Sequence, residues 1–96
     1  MTVLGEIRRE RDRQDEKWGK HNHPDGTGLV FKSERDAWTA VNDVRSVLGS
    51  TTWAPILLEE VFEALAETSP AALRRELVQV ASVAVAWIEA IDRRSA

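Results

Sequence analysis

Three absences bound what this chain of 96 residues can be. It has no cysteine, which excludes disulfides, thiolate metal sites and cysteine nucleophiles. It has no apolar run approaching the ~18 residues of a membrane span, and its start, MTVLGEIRRERD, lacks the apolar centre of a secretory signal. No membrane association and a cytoplasmic location are the resulting expectations. It also lacks a concentrated basic stripe. Arg8, Arg9, Arg11 and Arg13 are interleaved with Glu6, Glu10, Asp12, Asp15 and Glu16, which reads as a solvated helix face and not as a surface for a nucleic acid polymer. Between Ser46 and Leu73 there is no Lys or Arg at all. What remains is ordinary for a soluble domain: 43% hydrophobic residues, 30% charged residues and a formal net charge of -3. At this length a single small domain over 1–96 is expected, with a modest core that association with other copies would extend.

Periodicity and punctuation give an all-α reading with about four helices. Val3, Leu4 and Ile7 supply a thin apolar edge to a first helix ending near Lys17. Trp18 to Gly28 follows as a loop rich in Gly, Pro, Asn and Asp, and it holds both histidines, His21 and His23. Ser33 and Asp36 resemble a capping arrangement for a second helix near 34–48, closed by Gly49. Ser50, Thr51 and Thr52 offer caps for a third helix near 53–67, whose first turn tolerates Pro55. Ser69 and Pro70 start a fourth with no breaker before about Arg93, which makes it about 36 Å long. Its stretch from Val80 to Ile88 is apolar almost all round, which implies burial on several sides and a second subunit against it.

The third helix carries the chemistry. At roughly 100° per residue, Glu59, Glu60, Glu63 and Glu67 share an arc of roughly 100°, opposite Leu57, Leu58, Val61, Phe62 and Leu65. Glutamates at i,i+4 repel one another, and no nearby basic residue offsets them. The short connection at Thr68 and Ser69 makes the last two helices an antiparallel hairpin. Counting outward from that turn sets Glu63 opposite Glu76 and Glu60 opposite Gln79. Glu59, Glu60, Glu63 and Glu76 therefore converge on one place as candidate metal ligands. Such a hard-oxygen cluster suits Mg²⁺ or Mn²⁺. A cation there would neutralise phosphate oxygens and acidify water, while a carboxylate that does not ligate it can serve as general base. The competing reading is a solvated acidic face. Elsewhere, Trp18 and Trp53 sit at element edges where an indole can stack on a base or simply pack, and Trp38 and Trp87 read as core. Lys17 can meet phosphates, and His23 can order the loop or touch substrate, a better reading than metal ligation for a lone pair of loop histidines.

In these residues the sequence resembles the MazG-like, all-α nucleoside triphosphate pyrophosphohydrolases. Their pattern is E-x-x-E preceded by another glutamate, then a gap of a dozen or more residues and E-x-x-D. Glu59, Glu60 and Glu63 match the first part, and Glu76 follows after twelve residues. DEKWGKHNHPDGTG, from Asp15 to Gly28, looks like the amino-terminal signature of small bacterial and phage members. One position departs: Gln79 stands where the family has Asp, and glutamine can offer an oxygen or hold a water but brings no charge and no base. Glu89 and Asp92 repeat the E-x-x-D spacing, yet they lie about 20 Å further along the helix. The resemblance implies Mg²⁺-dependent cleavage of a nucleoside triphosphate to the monophosphate and pyrophosphate in a homodimer or homotetramer. The implied metal ligands are Glu59, Glu60, Glu63 and Glu76, with Glu59 and Glu63 in catalysis and Gln79 as a substituted ligand. Substrate contacts fall to Lys17, Trp18, His23 and Trp53. The alternative is a non-catalytic nucleotide-binding or interaction module that keeps the fold.

Overall fold

A computed structural model describes residues 1–94. Four helices form it: α1 (Val3–Trp18), α2 (Lys32–Leu48), α3 (Trp53–Leu65) and α4 (Pro70–Arg94), with a 3₁₀ turn at Leu29–Phe31 leading into α2. No strand occurs among the described residues.

The ends of these helices follow local chemistry. Thr2 caps α1 by accepting from the Gly5 N–H at 3.0 Å, satisfying one of the free amides of the first turn. Gly49 closes α2 at φ 69°, where a side chain would be strained. Its N–H bonds the Ser46 carbonyl at 3.2 Å and the Ser50 N–H bonds that of Arg45 at 2.9 Å, the paired bonds of a Schellman end. Ser69 caps α4 through the Ala72 N–H at 3.1 Å, with Pro70 at the first helical position as the sequence suggests.

Two boundaries differ from the sequence reading. Ser33 does not cap α2 but lies inside it. The 3₁₀ turn runs directly into the helix, and the Lys32 N–H already bonds the Leu29 carbonyl, so the backbone supplies what a side-chain cap would have. The third helix stops at Leu65 and not at Glu67, because the Leu65 carbonyl accepts from the Gly28 N–H at 2.8 Å while the Glu67 N–H tightens onto Ala64 at 3.1 Å. That cross-chain bond, together with Phe31 packing on Phe62 at 6.5 Å between ring centroids, ties the end of the loop to the helix that carries the glutamates.

α3 lies between α2 and α4, packing antiparallel to α4, and α1 touches only α4 to any extent. Trp53 at the start of α3 stacks on Trp87 near the end of α4, with ring centroids 6.2 Å apart and planes 9° from parallel. At the turn end, Ala64, Ala66 and Leu73 are the buried apolar residues. Among the described residues no large side chain is fully buried. Trp38 and Trp87, read as core from the sequence, are half-buried. The layer is thin and open, 44 × 41 × 18 Å, with Leu77, Val78, Ile88 and Ile91 of α4 and Val44, Val47 and Leu48 of α2 exposed.

Candidate metal centre

The hairpin register brings Glu63 and Glu76 together as the count from the turn requires. One carboxylate oxygen each from Glu60, Glu63 and Glu76 lies within 4.8 Å of the other two, on half-buried side chains. Two oxygens on opposite sides of a Mg²⁺ ion at about 2.1 Å are about 4.2 Å apart, and those around Ca²⁺ are somewhat further apart. Three ligands on one ion include at most one such opposite pair, and neighbouring oxygens stand about 3.0 Å apart. Three oxygens within 4.8 Å of one another can therefore share a hard divalent cation once side-chain rotation draws them closer. All three donors are oxygen, the preference of Mg²⁺, Mn²⁺ and Ca²⁺.

Among the described residues no Lys, Arg or His forms an ion pair with Glu60, Glu63 or Glu76. The ion pairs among the described residues are Arg8 with Asp12, Arg11 with Asp15, Arg13 with Glu10, and Arg35 with Asp36, all on α1 or at the start of α2. The consequence is electrostatic. Burial pushes the Glu63 carboxyl up to about 7, with the charges of Glu60, Glu59 and Glu76 and a hydrogen bond with Glu59 adding to the effect. The Glu60 carboxyl is also raised, by burial first and then by Glu76 and Glu59, with a hydrogen bond from Glu63 acting the other way. Like-charged carboxylates gathered on partly dry helices resist ionising together, and a divalent cation relieves both costs.

The fourth glutamate behaves differently. Glu59 stands beside the triad, but its oxygens face α2. Asn42 Nδ2 donates to Oε1 at 2.7 Å and to the Pro55 carbonyl at 2.8 Å, and Thr39 Oγ1 contacts Oε2 at 3.2 Å while bonding the Arg35 carbonyl at 3.0 Å. Thr39 and Asn42 were not singled out by sequence reasoning. Sequence periodicity pointed elsewhere: the half-buried positions of α2 are Arg35, Trp38, Thr39, Asn42 and Arg45, a mainly polar face, while the apolar Val41, Val44, Val47 and Leu48 are exposed.

The other candidates spread along the chain. Gln79 is exposed, one turn beyond Glu76 on α4. Lys17 places Nζ 4.8 Å from the centre of the Trp18 ring, and Trp18 is 61% exposed at the end of α1. With Gly19, His21, His23, Arg11, Gln14 and Asp15, Trp18 borders an open cavity of about 540 Å³. His21 and His23 meet edge to face at 5.4 Å. Trp53 gives one ring face to Trp87, which supports packing over base stacking for that face. Among the described residues, the groups of acidic residues and histidines able to hold an ion reduce to Glu60, Glu63 and Glu76. No family model, curated protein or solved structure matches the chain, so the reading of this centre rests on its own residues and their geometry.

Proposed function

We propose that the chain is a Mg²⁺-dependent nucleotide pyrophosphohydrolase of the MazG-like kind, cleaving a nucleoside triphosphate to the monophosphate and pyrophosphate. The observation that carries this reading is the convergence of Glu60, Glu63 and Glu76 within 4.8 Å, with none of the three in an ion pair among the described residues. These three carboxylates would hold the ion, Mg²⁺ or Mn²⁺. When bound, it supplies charge to offset the phosphate oxygens and makes nearby water more acidic.

The chain's own residues do the rest. Glu60 and Glu76, from facing helices, would hold the ion between α3 and α4, and the triphosphate would take its place relative to α3 through that positive charge. Glu59, anchored by Asn42 and Thr39 beside the triad, is placed to orient the attacking water and take its proton. Water adds to phosphorus at the α–β linkage, the bridging P–O bond breaks, and pyrophosphate leaves. Trp18 and His23 border the exposed cavity at the end of α1, Lys17 stands over the Trp18 ring, and these three are the proposed nucleotide contacts. The test is pyrophosphate release over a panel of canonical and modified nucleoside triphosphates with Mg²⁺. Turnover of at least one, abolished in Glu63→Ala, is the expected result; no turnover and no Mg²⁺-dependent binding would sink the enzyme reading.

One observation favours a second reading. Gln79 leaves α4 with one carboxylate at the centre instead of two, which suits a nucleotide-binding module without hydrolysis. Calorimetry showing tight Mg²⁺-dependent nucleotide binding without turnover, with activity appearing in Gln79→Asp, would establish it.

The working form is a homodimer or homotetramer. The chain exposes 7304 Å², against about 5,500 Å² for a compact monomer of its mass. Its radius of gyration is 15.6 Å, against about 12.5 Å for a compact domain of this length. An excess of this size on a layer 18 Å thick, with apolar residues of α2 and α4 uncovered, is what a second copy would bury.

A further inference from the structure

The glutamates of α3 are divided between two neighbours. Glu60 and Glu63 turn toward Glu76 on α4, whereas Glu59, although it also shares a hydrogen bond with Glu63, is held through both oxygens by side chains of α2. An unrestrained Glu59 would have no reason to stay apart. It adjoins Glu60 in sequence, lies one helical turn before Glu63, and its flexible side chain would swing to any cation held there. Asn42 and Thr39 remove that freedom. They lie three residues apart on one face of α2 and reach one oxygen each, Asn42 by donating to Oε1 and Thr39 by sharing its one hydroxyl hydrogen between Oε2 and the Arg35 carbonyl; with the hydrogen bond to Glu63 counted as well, a lone pair of the carboxylate is left for a water.

The orientation of the Asn42 amide follows from its partners. Nδ2 has two hydrogens and faces two acceptors, the Pro55 carbonyl at 2.8 Å and Glu59 Oε1 at 2.7 Å. Turning the amide over would set Oδ1 against both. In the orientation adopted, Oδ1 is buried and meets no donor. A leucine of similar volume would fill the same space without an orphaned acceptor, so packing alone does not account for asparagine here.

We infer that Asn42, supported by Thr39, is a positioning residue that holds Glu59 outside the Glu60–Glu63–Glu76 triad and fixes it toward the attacking water. The inference rests on the hydrolase reading for the role of that water, and on the hydrogen bonds alone for the tether. It makes α2 part of the site: a shift of α2 against α3 would displace Glu59 while leaving the triad intact.

The variants are Asn42→Leu, Thr39→Val and Thr39→Ser, compared with the unaltered chain. Asn42 also bonds Pro55, so Asn42→Leu reports only if it folds. Thr39→Val removes the contact with Glu59 and a bond within its own helix, and decides the matter otherwise. Loss of a charge-assisted bond predicts a fall in kcat of about 10–100-fold for Asn42→Leu and about 3–10-fold for Thr39→Val. KM and the Mg²⁺ concentration for half-activity should stay within about twofold, and Thr39→Ser should keep the parent kcat. Folded variants with unchanged kcat, or a loss that appears in the Mg²⁺ requirement instead, would overturn the inference. If the unaltered chain hydrolyses no nucleotide, the hydrolase reading fails separately, and a nitrogen–proton NMR spectrum then judges the tether. The Asn42 side-chain amide protons should remain protected from exchange when Mg²⁺ is added. Their release on adding Mg²⁺ would show Glu59 leaving α2 to bind the ion.

Discussion

Replacing Glu63 by glutamine in the metal-free protein should raise its stability at pH 8 and leave it nearly unchanged at pH 4.5. The Glu63 carboxyl stands at about 7 in the folded chain against an ordinary value of 4.5. A folded value above the unfolded one means that, between those two pH values, the folded state carries more protons, and stability falls as pH rises. The contribution is therefore fully present below pH 4.5 and lost as pH passes about 7. The full shift corresponds to about 3.4 kcal/mol at 1.36 kcal/mol per unit. Glu63 is only half-buried, and solvent screening reduces this to roughly 1–2 kcal/mol. In a domain of this size that is a melting-temperature difference on the order of 5–15 °C. The assay is thermal unfolding followed by circular dichroism in chelator, with Glu63→Gln and the unaltered chain compared from pH 4.5 to 8. The difference between the two should grow with pH, and millimolar Mg²⁺ should shrink it by stabilising only the unaltered chain. A difference that is flat with pH, or that favours the unaltered chain at pH 8 without Mg²⁺, would refute the electrostatic account of the triad.

Two further outcomes test the frame around the site. Leu73 is 8% exposed and closes the hairpin beside Ala64 and Ala66, so Leu73→Ala should cost about 2–3 kcal/mol, read as a lower midpoint in urea with little change in slope. Sedimentation of the unaltered chain should give a dimer or tetramer, and Val85→Glu, placed on the open side of α4 near Leu4 and Val78, should shift it toward monomer; a monomer at all concentrations would remove the argument from exposed area.

The four helices were legible because their signals are local. Caps at Ser69, a stop at Gly49 and unbroken periodicity from Pro70 onward act within a few residues, and the structure follows them to within a residue or two at most ends. The exceptions, Ser33 inside α2 and the early end of α3, arise from a 3₁₀ turn and a bond from Gly28 to Leu65, both set by how the loop docks.

The meeting of Glu60, Glu63 and Glu76 was also legible, since a short antiparallel turn fixes register by counting and helical period fixes the face. Sequence alone thus determined the helices, the acidic face and the partner glutamate across the hairpin. It grouped Glu59 with the others, because helical spacing places all four glutamates on one side. Only the tertiary structure decided that Glu59 faces α2. That outcome depends on how α2 packs across α3, which brings Thr39 and Asn42 within hydrogen-bond reach of residues 17 to 20 positions away. No periodicity within a single helix encodes such a crossing.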